Sequence, residues 1–153
     1  MSKYDASLDR DANRVGIQGV NSFKSTTSVT FAAGTTGAVD TFSLFTVTGD
    51  VLLTIFAVCN TDLTSGGAAT IEVGVAGNTA GLIAQTTATD IDDGDVWVDA
   101  TPGVGVQALP GTFIVNDGAD VIYTVGTTTI TGGVLEFYCL WRPLSSDGNV
   151  VAA

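Results

Sequence analysis

Histidine is absent from this sequence, and lysine and arginine are missing from most of it. The lack of histidine excludes a Ser-His-Asp triad, a Cys-His nucleophile and a histidine-ligated zinc or haem. Between Ser25 and Trp141 there is no lysine that could form a Schiff base or bind a phosphate. Neither a Walker loop nor a dinucleotide-binding glycine fingerprint occurs. These absences predict a protein without enzymatic activity and without a cofactor.

Carboxylates are the chemically reactive groups that remain. A glycosidase needs only two of them, and the central part of the chain offers Glu72 and Glu136. Both glutamates fall within strand-like runs, which favours a structural role for them.

One acidic cluster is compatible with calcium, because Ca²⁺ takes six to eight oxygen ligands. Its spacing departs from an EF-hand, since Gly94 occupies the fifth loop position, where a ligand belongs. We favour a solvated turn over a calcium site. The candidate ligands are Asp90, Asp92, Asp93 and Asp95.

Charge is distributed unevenly along the chain. The net charge is −11, yet four of the five basic residues lie in the first 24 positions, and twelve acids lie between Ser25 and Trp141. Such acidity repels DNA, RNA and anionic membranes, so we expect neither a nucleic-acid nor a membrane partner. No apolar run approaches the roughly 20 residues that span a bilayer. The first ten residues contain no apolar segment typical of a secretion signal.

Cysteine is scarce, and its two copies lie within apolar runs. Without a secretion signal, a reducing compartment is expected, and Cys59 and Cys139 are then buried free thiols. The alternative is a disulfide that joins two strands, which requires Cα atoms about 4.4–6.8 Å apart.

Alternation of apolar and polar residues predicts the fold. About eight short strands separated by glycine-rich turns indicate an all-β protein, an antiparallel β-sandwich that is jelly-roll-like. We predict an extended N-terminal arm at 1–24, the sandwich at 25–145 and a flexible C-terminal tail at 146–153. Gly49-Asp50 predicts a hairpin that joins a strand at Thr41–Val47 to one at Val51–Cys59.

Two apolar runs form the predicted centre of the sandwich, Val51–Cys59 and the segment 132–144. In the second run, the odd positions from Leu135 to Trp141 are predicted to point into the core. The outward positions are Glu136, Tyr138 and Leu140. Val51–Cys59 is apolar on both faces, which indicates a covering layer or a subunit interface. Arg142 is expected to pair with Glu136 or with an aspartate of a neighbouring loop.

Three blocks of this sequence resemble stretches of small structural proteins of tailed bacteriophages. They lie within residues 45–145 and are Ile71–Thr79, Ile83–Asp92 and Glu136–Leu144. The resemblance implies a virion component, above all a capsid decoration (cement) protein. Such proteins form trimers of β-sandwich subunits that clamp the major capsid protein on the outside of the head. Assembly in the host cytoplasm follows from the same resemblance.

The basic residues of the arm are the candidate capsid contacts, Arg10, Arg14 and Lys24; the alternative is a solvated, disordered tail. Two other functions fit the same composition. One is a tail or head-fibre subunit. The other is a carbohydrate- or receptor-binding sandwich in which Trp97 and Tyr123 form an exposed platform.

Overall fold

A computed structural model describes residues 23–153, and the greater part of the predicted arm lies outside them. Ten strands and one short 3-10 helix (Ala88–Asp90) make up this part of the chain, and it contains no helix that could cross a membrane. The strands are β1 (Phe23–Thr30), β2 (Thr41–Thr48), β3 (Val51–Ser65), β4 (Thr70–Val75), β5 (Asn78–Thr87), β6 (Val96–Trp97), β7 (Phe113–Val115), β8 (Val121–Gly126), β9 (Ile130–Pro143) and β10 (Asn149–Ala152).

The strands form two antiparallel sheets of five strands each. Sheet A has the order β1-β9-β3-β6, with β7 also paired to β3, and sheet B has the order β10-β2-β8-β4-β5. The two sheets enclose one continuous apolar core. The predicted all-β, antiparallel β-sandwich is therefore confirmed.

The two long apolar strands, β3 and β9, are neighbours in the middle of sheet A. Their register pairs Leu53 with Trp141 and Ile55 with Cys139. The alternation predicted for β9 is confirmed, because Leu135, Phe137, Cys139 and Trp141 are all buried. Each strand thus contributes one full face to the core, as period-two alternation requires.

The predicted hairpin between Thr41–Val47 and Val51–Cys59 is wrong. Thr41–Thr48 pairs with β8 and β10 in sheet B, whereas Val51–Ser65 pairs with β9, β6 and β7 in sheet A. The short link crosses between the sheets at Gly49, whose φ of 61° suits glycine. Alternation states which side of a strand points inward, but it does not state which sheet the strand joins.

Two predicted boundaries also change. Sheet A begins at Phe23, so Lys24 belongs to β1 and lies opposite Leu140. The tail predicted to be flexible at 146–153 contains β10, which pairs with β2. Burial of Val150 explains that pairing, because this side chain closes the core between the two sheets.

Candidate binding surface

Sheet A exposes an unusual outer surface, which we call the outer face of sheet A. A sheet with one solvated side normally places polar residues there. On the central strands of sheet A, the outward positions are mostly apolar and only partly buried. The apolar members of the outer face include Leu52, Phe56, Val58, Ile114, Tyr138 and Leu140.

The centre of this face is an aromatic pair. Phe56 and Tyr138 are opposite each other on β3 and β9, and their rings stack with centroids 5.2 Å apart and planes inclined by 11°. A hydrogen bond with the Glu136 carboxylate raises the pKa of the Tyr138 hydroxyl. The tyrosine is therefore neutral at physiological pH and presents a large, rigid contact area.

One end of the face is basic. Lys24 pairs with Leu140, and Arg142 lies two residues further along the same strand, so the two bases are diagonal neighbours about 7–8 Å apart at Cα. Leu52 lies directly opposite Arg142, and Ile114 of β7, 68% exposed, lies opposite Leu52. Positive charge and exposed apolar surface are thus adjacent.

The other end of the face is acidic and polar. The Asn60 amide donates a hydrogen bond to Glu136 over 3.4 Å. Glu136 and Arg142 are six residues apart on one strand, about 20 Å, so they cannot form the ion pair predicted from the sequence. Arg142 also forms no ion pair with an aspartate of residues 23–153, so it is available at the surface beside Lys24. The sequence did contain one signal for this position, since Arg142 has the same strand parity as Tyr138 and Leu140.

Sheet B has an outer face of the ordinary kind. Its outward positions are largely threonine and serine, including Thr41 and Thr124, whose hydroxyl oxygens are 3.0 Å apart. Glu72 accepts hydrogen bonds from the Thr79 hydroxyl and from the Gln85 amide, the latter over 3.0 Å. This polar network is stable in water without a covering layer, in contrast with the outer face of sheet A.

The two glutamates considered for a glycosidase point away from each other. Glu72 faces outward from sheet B and Glu136 faces outward from sheet A, on opposite sides of a sandwich whose sheets lie about 10 Å apart. A glycosidase needs its two carboxyl groups on either side of the same glycosidic bond. This pair therefore cannot perform that reaction.

The acidic cluster serves its own loop. Asp95 is buried, and its Oδ2 accepts the backbone N–H of Asp92 over 3.0 Å. The backbone N–H of Asp93 donates to Asp62 Oδ1, and that of Gly94 donates to the carbonyl of Cys59. Within residues 23–153, no group of three or more His, Cys, Asp or Glu side chains converges to hold a metal ion. The four candidate calcium ligands, for which the sequence favours a solvated turn, are thus not brought together in this part of the chain.

A second acidic region lines an open cleft of about 410 Å³ near the link between β2 and β3. Two of its three carboxylates, those of Asp50 and Asp147, accept hydrogen bonds from the surrounding loops. Asp50 Oδ1 accepts the backbone N–H of Asp117 over 2.9 Å, and Asp147 Oδ1 accepts the Ser145 hydroxyl over 2.6 Å. The Ser145 oxygen in turn accepts the backbone N–H of Asp50. The hydrogen bonds in this cleft stabilise the turns that line it.

The exposed aromatic platform predicted for a carbohydrate-binding module is wrong. Trp97 is fully buried, and its indole N–H donates to the Thr86 hydroxyl over 2.8 Å. Tyr123 is also buried and donates its hydroxyl proton to the carbonyl of Thr36 over 2.8 Å. Both rings are core residues whose polar atoms have found internal partners, so neither can stack on a sugar.

The disulfide alternative is also wrong. Cys59 and Cys139 are free and buried. Cys139 lies opposite Ile55, four residues from Cys59 along β3, which separates the two cysteines by about 13 Å. Burial raises the pKa of Cys59 to about 11 and that of Cys139 to about 12. Both thiols are therefore protonated and unreactive at neutral pH.

The predicted capsid contacts are divided by the structure. Lys24 lies on the outer face of sheet A, whereas Arg10 and Arg14 lie outside the described residues. Sequence reasoning missed Arg142 and Ile114 as members of this surface, because their position depends on how β1, β9, β3 and β7 pair.

Comparison with known proteins adds little. No protein-family model matches the sequence, and no curated protein matches it. One solved structure, described as the cyanophage Pam1 capsid asymmetric unit, matches with 22% identity over 80% of this chain and 86% of that chain. The TM-score is 0.38. A likeness of this size carries no argument about the fold or function of this chain.

Proposed function

We propose that this chain is a non-enzymatic structural protein of a tailed-phage virion. Specifically, it is a capsid decoration protein that binds the major capsid protein on the outside of the head as a homotrimer. The resemblance of three sequence blocks to phage structural proteins motivates the proposal. The observation that carries it is the outer face of sheet A, an apolar surface with a basic end on an otherwise acidic sandwich.

The topology supports this proposal through a jelly roll. Along the chain from β1 to β9, leaving β10 aside, the strand pairs are nested: β1 pairs with β9, β2 with β8, β3 with β6 and β7, and β4 with β5. This nested pairing is the one expected when an antiparallel ribbon rolls into two sheets, the architecture of many capsid domains.

A contact between copies is supported by the loop between β6 and β7. Its exposed apolar side chains include Val104 and Val106, the latter fully exposed, together with Leu109. These three side chains lie within six residues and expose apolar area that a contact between copies would bury. Light scattering should give three times the 15.5 kDa chain mass. Val104→Ser with Val106→Ser should reduce this mass, and Val39→Ser, also exposed, should not.

Co-sedimentation with undecorated heads tests the function directly. The protein should pellet with such heads, and it should not pellet with heads already saturated by the same protein. Electron microscopy of the pellet should place it on the outer shell. Absence from the pellet would contradict the proposal, and assembly of the pure protein into rings or filaments would favour a tail or head-fibre subunit.

A further inference from the structure

The two outer faces of the sandwich differ in a way that folding does not require. Sheet B is stable with threonine, serine and a hydrogen-bonded Glu72 on its solvent side. Sheet A places stacked Phe56 and Tyr138, flanked by Leu140, on the corresponding side. Removing such apolar surface from water is favourable, so a covering partner gains more free energy on sheet A than on sheet B.

The charges of this face identify the chemistry of the partner. Of five bases and sixteen acids in the chain, three of each precede Phe23, so residues 23–153 contain two bases and thirteen acids. Both of those bases, Lys24 and Arg142, lie on the outer face of sheet A, and neither forms an ion pair within residues 23–153. This face is therefore the part of the described surface that complements negative charge.

We propose that the outer face of sheet A docks on an acidic, partly apolar protein surface, with Lys24 and Arg142 facing its carboxylates. Ile114, Phe56 and Leu140 would contact its apolar part. The inference rests on the proposed function, in which that surface belongs to the head shell. It also adds Arg142 to the candidate contacts.

A two-fold pair of copies is a poorer occupant for this face, because the face then meets itself. It presents two bases, Lys24 and Arg142, and the acid Glu136, so each copy leaves one base without an acid. A trimer makes heterologous contacts instead, and the light-scattering outcome below separates such a contact from docking on the shell. An acidic shell surface satisfies both bases together.

Charge neutralisation provides the first test. Lys24→Gln with Arg142→Gln changes the net charge from −11 to −13, and Ser43→Glu with Thr46→Glu, on exposed positions of sheet B, makes the same change. Affinity for undecorated heads should fall about tenfold for the first pair and remain within about twofold for the second. Added salt should weaken binding of the unaltered protein more than binding of the glutamine variant.

The apolar part provides the second test. Ile114→Ser and Val151→Ser each remove an exposed β-branched side chain from a strand, the first on the outer face of sheet A and the second on β10. Only Ile114→Ser should lower the affinity for heads. Thermal unfolding of each variant verifies that it is folded.

The outcomes separate the inference from the proposed function. If the unaltered protein binds heads and all variants bind equally well, the inference is wrong and the decoration function stands. If the unaltered protein does not bind heads, both are wrong. If the glutamine or Ile114 variant loses oligomer mass in light scattering, the face is a contact between copies, and the inference is overturned.

Discussion

The Phe23 ring packs against the Trp141 indole, with ring centroids 4.8 Å apart and planes inclined by 32°. The indole N–H of Trp141 also donates to the Ser25 hydroxyl over 3.0 Å, and that hydroxyl donates to the carbonyl of Val150. These contacts join β1, β9 and β10 at the edge where the two sheets meet. The first described residues are therefore part of the fold.

Substitution of Phe23 tests this edge. Phe23→Ala should lower the free energy of unfolding by about 1 kcal/mol, because an aromatic pair is lost from a partly exposed site. Urea denaturation measures this loss, with Val106→Ala at a fully exposed position as the control. Equal stability of the Phe23→Ala variant and the unaltered protein would show that the Phe23 ring does not contribute to the fold.

The C-terminal strand offers a matched pair of neighbouring valines. Val150 is 1% exposed and Val151 is 48% exposed. Val150→Ala should lower the free energy of unfolding by about 2 kcal/mol, because it removes buried apolar volume, and Val151→Ala should change it little. Similar small effects of both substitutions would indicate that residues 146–153 form a flexible tail, as the sequence predicted.

The buried hydrogen bond between Trp97 and Thr86 can be tested by removing one partner at a time. Thr86→Val leaves the indole N–H buried without an acceptor and should cost about 1–3 kcal/mol. Thr86→Ser keeps the hydroxyl and should cost less. Urea denaturation followed by tryptophan fluorescence measures both. Equal effects of the two substitutions would mean that the bond does not contribute.

The thiols should react only after unfolding. Native protein should bind almost no thiol reagent at pH 8, because both cysteines are buried, and protein in guanidinium without reductant should bind two equivalents. Fewer than two equivalents in guanidinium would indicate that the two cysteines are joined by a disulfide.

Stability should also depend on pH through the same thiols. Their folded-state pKa values, about 11 and about 12, lie above the ordinary value of 9.0. The contribution of the protonated, buried thiols to the free energy of unfolding is therefore fully present below pH 9. It is lost as the pH rises toward the folded values, at up to about 1.4 kcal/mol per pH unit for each thiol. Thermal unfolding between pH 8 and 10 measures this loss. Cys59→Ala with Cys139→Ala should flatten the dependence.

Alternation within the long apolar strands determines which of their side chains point into the core. The inward set Leu135, Phe137, Cys139 and Trp141 is readable from the sequence because successive strand residues point to opposite sides. The absence of histidine and the acidity of the chain likewise follow from composition alone.

The tertiary structure decided which strands are neighbours, and hence where the candidate surface lies. Thr41–Thr48 and Val51–Ser65 are adjacent in sequence but belong to different sheets, because a short link can cross the sandwich as readily as it can form a hairpin. Trp97 could be a core residue or a platform until its burial was known. Lys24 and Arg142 become neighbours only through the pairing of β1 with β9, a long-range contact on which local alternation is silent.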